Sequence, residues 1–144
     1  MGGGDVILGV GTDIVQVSRI ARVVEGRGEA FLDRVYTPGE LQYAGDGKDR
    51  DRRLAGRWAA KEAVRKTLRG ELSRVAWRDV EVFSGPAGEP SVRLRGEAAR
   101  AMEVLGGTDV HLSLSHSGDV AIAVALLVAR SATRCGGGSP GRGR

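Results

Sequence analysis

The stretch LAGRWAAKEAVRKTL, residues 54–68, carries apolar side chains at the three- and four-residue spacing of an α-helix. The apolar stripe of this predicted helix runs through Ala55, Trp58, Ala59 and Ala63. Helical geometry places Glu62 and Lys66 on the same stripe, so that two charges face inward. They are either an ordinary helix ion pair at four-residue spacing or a carboxylate and an ammonium directed into a cleft. In a cleft, the carboxylate would bind a hard cation and the ammonium a phosphate oxygen.

A second candidate carboxylate lies near the start of the chain. The short apolar run Val6–Val10 is closed by glycines, which predicts a buried strand that ends in a turn at Thr12 and Asp13. Magnesium is commonly bound through one or two carboxylates, with waters and substrate phosphates as its other ligands. Asp13 and Glu62 would suit such a site, although Gly-Thr-Asp is also plain turn chemistry and the spacing does not bring the two residues together.

The remaining periodicity predicts one α+β domain over residues 1–130, with a mainly antiparallel sheet packed by helices. In the first half of the chain, the predicted elements are a basic-faced helix over 17–24 that stops at Gly26 and Gly28, a helix from the capping box at 37–40, and a solvated loop over 43–53. In the second half, they are a hairpin of strands near 80–83 and 92–94, a helix over 97–105, and strands over 111–115 and 120–128. A turn at Gly118 and Asp119 connects the last two strands. The Gly/Ser/Arg-rich tail over 131–144 is expected to be disordered.

Composition excludes several classes of protein. The 144 residues suffice for one ordinary core, and 22 basic against 18 acidic residues give a net charge of +4. Cys135 is the single cysteine, so one chain can form neither a disulfide framework nor a cysteine-ligated zinc site. No apolar run is long enough to span a membrane, and the first residues do not resemble a signal peptide, which predicts a cytoplasmic protein.

One of the two histidines is a candidate for a ligand contact. His116 follows a strand and is expected to be exposed in a turn, whereas His111 lies within the strand and is expected to be structural. Ser115, His116 and Asp119 are too close along the chain to converge as a hydrolase triad. A basic nucleic-acid-binding domain is the alternative from another class, but six aromatic residues and intermixed acids give neither a stacking platform nor a basic stripe.

Three segments, taken in order, resemble the holo-acyl-carrier-protein synthases, which are the short, single-module type of 4′-phosphopantetheinyl transferase. These segments are GVGTDIVQVSRI (9–20), LAGRWAAKEAVRKTL (54–68) and HLSLSHSGDVAIAVAL (111–126). The resemblance runs from about Ile7 to Val128. It implies Mg²⁺-dependent transfer of phosphopantetheine from coenzyme A to a serine hydroxyl of an apo acyl carrier protein, releasing adenosine 3′,5′-bisphosphate. It also implies a homotrimer with active sites at the subunit interfaces.

The resemblance assigns roles to individual residues in the reaction centre. Asp13 and Glu62 match the two carboxylates that bind Mg²⁺ in the family, and Lys66 matches the lysine that contacts the coenzyme A pyrophosphate. Arg19 and Arg27 match the basic first helix, which receives the acidic helix of the carrier protein. The general base stays open between Glu62 and a metal-bound water, and so does the choice between a fatty-acid and a polyketide carrier.

Further matches concern the nucleotide end of coenzyme A. Arg57 and His116 match positions associated with this end, including its 3′-phosphate, and Lys61 and Ser115 stand beside them. Lys48 could reach a phosphate from its loop. The sequence departs from the family pattern with valine at 120 and tryptophan at 58, which puts the packing beside the nucleotide in doubt. A non-catalytic relative and a different Mg²⁺-dependent phosphoryl-transfer enzyme stay open as alternatives.

Overall fold

The computed structural model describes residues 3–69 and 73–132; the predicted tail from 133 onward, with Cys135, lies outside them. The elements in chain order are β1 (Val6–Gln16), α1 (Val17–Val35), α2 (Pro38–Ala44), α3 (Arg50–Thr67), a 3-10 turn (Trp77–Asp79), β2 (Val80–Ser84), β3 (Pro90–Leu94), α4 (Gly96–Val104), β4 (Asp109–Ser117) and β5 (Val120–Ala129). The strands form two antiparallel sheets, β1-β5-β4 and β2-β3. The predicted α+β class is therefore confirmed.

The first strand is longer than predicted. β1 pairs with β5 as far as Gln16, so Asp13 lies within the strand opposite Ala123 and the expected turn at Thr12 and Asp13 is wrong. The glycines of this segment serve close packing instead of a turn. A Cβ atom on Gly11 would lie 1.9 Å from the carbonyl oxygen of Ala63, so only glycine lets α3 approach the strand this closely.

Two helices also differ from the prediction. α1 does not end at its glycines: Gly28 breaks the helical geometry with φ 57° and ψ −140°, and the chain then resumes helix to Val35. Burial of Phe31 and Leu32 explains why the helix resumes, because these side chains enter the core. α3 begins at Arg50, so the predicted loop over 43–53 is several residues too long.

Other predicted elements are confirmed. The capping box of α2 forms as expected: the Thr37 hydroxyl accepts from the Glu40 amide at 3.3 Å, and Glu40 Oε2 accepts from the Thr37 amide at 2.8 Å. The β2-β3 hairpin, α4 and the turn at Gly118, where φ is 54°, also form. No helix among the described residues is long and apolar enough to cross a membrane, and the cytoplasmic location stays a prediction.

α3 lies at the centre of the molecule. One side of the helix packs on β1 and β5 through fully buried alanines, and the other side faces α2 and β2. These buried alanines are Ala55, Ala59, Ala60 and Ala63 on the helix and Ala121, Ala123 and Ala125 on β5. Small side chains on both surfaces keep the helix close to the sheet. The functional candidates on α3 are consequently held by packing on two sides.

Candidate active site

Asp13 faces α3 from the inner side of β1. Side chains alternate along a strand, and Gly9, Gly11, Asp13 and Val15 share the face that is turned toward the helix. Gly9 lies against Thr67 and Gly11 against Ala63, so the strand and the helix run in opposite directions. Two residues further along the strand, Asp13 consequently lies one turn earlier on the helix, beside the turn that carries Glu62.

Lys66 joins the helix to this strand. Its Nζ atom lies 3.2 Å from Oδ1 of Asp13 and donates to the carbonyl oxygen of Thr12 at 2.7 Å. Lys66 is 46% exposed, and Asp13 is 15% exposed. Helical side chains lean toward the N-terminus of their helix, which brings the Lys66 ammonium back toward the turn of Glu62. The structure thus brings Lys66 and Asp13 together, and helical spacing places Glu62 one turn before Lys66 on α3.

Glu62 is half-buried at the border of the buried surface of α3 and Lys66 is exposed, so neither charge faces inward as predicted. Its Oε1 accepts from Arg65 Nη1 at 3.0 Å, and its side chain is 25% exposed. The helix ion pair is therefore Glu62 with Arg65, whereas Lys66 pairs with Asp13 on the strand. The inward-facing charges of α3 are Arg57 and Lys61, because the helix is covered on two sides and its buried surface is wider than one stripe.

The carboxylates on this flank fit a magnesium ion whose coordination a bound ligand would complete. Asp13 and Glu62 supply two carboxylates, each now paired with a basic side chain. Within the described part of the chain, no group of three or more His, Cys, Asp or Glu side chains could hold a metal. Mg²⁺ is ordinarily bound by one or two carboxylates together with substrate phosphates and waters. Two carboxylates from the protein would therefore be sufficient here.

Arg57 and His116 meet at a cavity on the other side of α3. The cavity has a volume of about 290 Å³ and is lined by Tyr43, Arg57, Ser84, Gly88, Pro90, Leu112, Ser113, Leu114 and His116. Arg57 is only 4% exposed, its Nε has no hydrogen-bond partner, and burial lowers its pKa. His116 lies within β4, not in a turn as predicted. Its imidazole lies so close to the helix that a Cβ atom on Gly56 would be 3.0 Å from Nε2.

Lys61 does not reach this cavity. It is fully buried, and its Nζ lies 2.8 Å from Oε2 of Glu40 and donates to the carbonyl oxygens of Trp77, at 3.1 Å, and Val80. Burial lowers the pKa of Lys61, and the Glu40 carboxylate partly offsets this effect. The expected coenzyme contact of Lys61 is therefore wrong, because its ammonium is enclosed by α2 and β2.

The predicted residues on β4 divide between the two faces of the sheet. Ser115 pairs with Ile122 on the outer face, so it does not share the inner face of His116. His111 lies within the same strand as expected and is exposed, and its structural role stays a prediction. The loop residue Lys48 is also exposed, and Val120 is half-buried opposite Ser117.

The first helix presents its basic residues to solvent. Arg19 and Arg27 are both exposed, and Arg27 borders an open depression of about 360 Å³ with Ala30, Phe31 and Arg34. Trp58 packs toward this side of the molecule: its ring lies 4.4 Å from that of Trp77, centre to centre, and 5.7 Å from that of Phe31. The tryptophan at position 58, which departs from the family pattern, thus affects packing beside α1.

Three residues that the structure makes important are not assigned a functional role by sequence reasoning. Glu40 is buried at the centre of the Lys61 contacts, Tyr43 lines the Arg57 cavity, and Asp119 caps α1. Asp119 Oδ1 accepts from the Ser18 amide at 3.0 Å, and its Oδ2 accepts from the Ser18 hydroxyl. The only available signal for Asp119 is its place after Gly118, which is also typical of a turn.

Comparison with known proteins identifies the family. The model of the 4′-phosphopantetheinyl transferase superfamily matches residues 9–125, and the chain belongs to that superfamily. The holo-[acyl-carrier-protein] synthase of Koribacter versatilis is 43% identical over 122 residues, which cover 84% of this chain and 98% of the relative. That of Anaeromyxobacter dehalogenans strain 2CP-1 is 47% identical over 124 residues, covering 84% and 95%. The predicted enzyme class, a holo-[acyl-carrier-protein] synthase, is thereby confirmed.

Solved structures agree with this assignment. The Plasmodium yoelii holo-ACP-synthase has a TM-score of 0.76 at 30% identity, covering 90% of this chain and all of that one. The Helicobacter pylori holo-[acyl-carrier-protein] synthase, solved in complex with coenzyme A, has a TM-score of 0.71 at 29% identity, covering 82% and 98%. The α+β fold with antiparallel sheets is thus the fold of this enzyme class.

Proposed function

We propose that the chain transfers 4′-phosphopantetheine from coenzyme A to a serine hydroxyl of an apo acyl carrier protein and releases adenosine 3′,5′-bisphosphate. The observation that carries the proposal is the meeting of Lys66 with Asp13 beside the turn of Glu62, on the same helix as the Arg57 cavity. Relatives at more than 40% identity are named holo-[acyl-carrier-protein] synthase, and a structural neighbour was solved with coenzyme A.

The reaction breaks the bond between the pyrophosphate bridging oxygen and the phosphorus that carries pantetheine. The carrier serine oxygen forms the new bond to that phosphorus, and its proton is released. Mg²⁺, when held by Asp13 and Glu62, would neutralise charge on the phosphate oxygens. The half-exposed Lys66 can turn from Asp13 to a pyrophosphate oxygen, which is a charge-assisted contact. Arg57 and His116 bind the nucleotide end.

The test is the intact mass of the carrier. The protein is incubated with an apo acyl carrier protein, coenzyme A and Mg²⁺, with and without a chelator. We expect the carrier to gain the mass of one phosphopantetheine and the chelator to prevent that gain. If a folded preparation modifies none of several carriers, the proposal is wrong, and the chain is a module that only binds coenzyme A or a carrier.

We further propose that the outer face of the β1-β5-β4 sheet forms a homotrimer. Apolar side chains stand on this face in register and are largely exposed in one chain: Val10 is 60% exposed, Ile14 66%, Ile122 39% and Val124 38%. An exposed apolar patch on a sheet face is typical of an interface. Ser115 is on this face beside Ile122, so the trimer would bring it to a subunit boundary.

Introducing a charge at the centre of this face should separate the subunits. Ile14→Lys is expected to convert the trimer to monomer, because an ammonium in an apolar interface would be desolvated without a partner. Light scattering after size-exclusion chromatography measures the mass. Val104→Lys is the matched control, since Val104 is 70% exposed on α4, off the sheet. A monomeric parent protein, or a trimeric Ile14→Lys variant, would contradict the proposed interface.

We propose that the exposed arginines of α1 bind the acidic carrier. Arg19→Glu is expected to raise the KM for the carrier roughly tenfold at low salt and to leave the KM for coenzyme A unchanged. Added salt should shrink the difference, because exposed charges are screened. Steady-state kinetics at two ionic strengths measures this. Arg100→Glu on α4 makes the same charge change away from α1, and equal effects of both variants would exclude a specific docking face.

A further inference from the structure

The ring of Tyr43, near the end of α2, contacts two guanidinium groups. The Arg57 Cζ is 3.9 Å from the centre of the ring, and the Arg53 Cζ is 5.4 Å from it. Arg53 also donates to the Tyr43 carbonyl oxygen at 3.3 Å. Tyr43 lines both the 290 Å³ cavity and an adjoining cavity of about 450 Å³ along the β2-β3 hairpin. Tyr43 and Arg57 thus line both cavities together.

Arg57 is a buried cation without an acidic partner at ion-pair distance. Among residues 3–69 and 73–132, none of the ion pairs includes Arg57, and its Nε is without a hydrogen bond. Burial lowers the pKa of Arg57, but a guanidinium stays protonated at neutral pH. An aromatic face attracts a cation without neutralising its charge. The charge of Arg57 therefore remains available to an anion.

His116 lines the same 290 Å³ cavity. His116 is exposed, and its imidazole lies close to α3 at Gly56, the residue before Arg57. An anion in the cavity could consequently contact both side chains, provided that the Arg57 guanidinium keeps its orientation. Arg57 has a long and flexible side chain, and the Tyr43 ring is its closest recorded partner.

We propose that Tyr43 is a positioning residue that presents Arg57 to the 3′-phosphate of coenzyme A and so sets the preference for coenzyme A over 3′-dephospho-coenzyme A. This inference rests on the proposed function. A carboxylate at this place would neutralise Arg57, and an aliphatic side chain would leave its orientation free. The ring restricts the guanidinium without neutralising its charge.

The experiment compares the two coenzymes on the same variants. The readout is the ratio of kcat/KM for coenzyme A to kcat/KM for dephospho-coenzyme A, which does not depend on the folded fraction. Tyr43→Ala is expected to lower this ratio about fivefold to tenfold through the KM for coenzyme A, with kcat nearly unchanged. Tyr43→Phe keeps the ring and should keep the ratio. In an Arg57→Ala background, Tyr43→Ala should have no further effect on the ratio.

Calorimetric binding of both coenzymes to the same variants separates this inference from the proposed function. Equal losses with both coenzymes after Tyr43→Ala would overturn the inference, because they would indicate only a structural role in α2. A Tyr43→Phe variant as impaired as Tyr43→Ala would also overturn it. Binding of coenzyme A without transfer would contradict the proposed function and still test Tyr43, whereas a folded chain that binds neither coenzyme would overturn both.

Discussion

Replacing Glu62 by glutamine is expected to lower the rate of phosphopantetheine transfer at least about a thousandfold and to leave the fold intact. Glutamine keeps the size of the side chain but removes the negative charge that would hold Mg²⁺ beside Asp13. The stability effect should be small, because the Glu62–Arg65 pair is partly exposed and such pairs contribute about 0–1 kcal/mol. The loss should therefore appear in catalysis and in metal binding only.

The measurement combines carrier modification with titration of Mg²⁺ in the presence of coenzyme A. Glu97→Gln is a matched control, since Glu97 forms an i,i+3 pair with Arg100 on α4, away from the site. This control should keep both activity and metal affinity. Undiminished turnover by Glu62→Gln would remove Glu62 from the metal site, and an unfolded variant would be recognised by circular dichroism before any activity is interpreted.

Replacing Lys61 by methionine is expected to destabilise the protein by about 3–5 kcal/mol. The substitution leaves the Glu40 carboxylate fully buried without its cation, although the amides of Thr37 and Val82 still donate to it at 2.8 Å each. The Trp77 and Val80 carbonyl oxygens lose a donor as well. For a chain of this length, such a loss corresponds to a fall in Tm of roughly 10–17 °C.

Chemical unfolding of four proteins tests the buried pair: the parent, Lys61→Met, Glu40→Leu and the double variant. The double variant should lose less free energy of unfolding than the sum of the two single losses, because neither charge is then left buried alone. Glu97→Gln again serves as the comparison, since it removes an exposed pair and should change stability by less than about 1 kcal/mol. Additive losses would show that the two side chains do not act as a pair.

Local signals in the sequence are sufficient for most elements of this fold. The capping box at Thr37 and Glu40 fixes the start of α2 within four residues, and the alternation of β5 fixes a strand. The end of β1 depends on pairing with a strand more than a hundred residues later. Gly11 and Asp13 resemble turn residues in sequence, and only that pairing extends the strand through them.

The site is predicted less completely for the same kind of reason. One-dimensional periodicity assumes a single buried stripe, whereas α3 is covered by the sheet on one side and by α2 and β2 on the other. This second contact buries Lys61 and moves Glu62 to the edge of the helix. Ser115 and His116 are neighbours in sequence but point to opposite faces of β4, which residue spacing shows only once the strand is known to continue through both.

The alternation of β1 also restricts how the chain can change in length. Gly9, Gly11 and Asp13 all face α3 because every second residue of a strand points to the same face of the sheet. A single residue inserted between Gly11 and Asp13 would turn the carboxylate to the outer, apolar face of the sheet and reverse every later side chain of the strand. A pair of inserted residues would restore the direction but shift the carboxylate about 7 Å along the strand. The position of the carboxylate therefore depends on the exact number of residues in β1, and tolerated insertions should fall in loops such as 45–49.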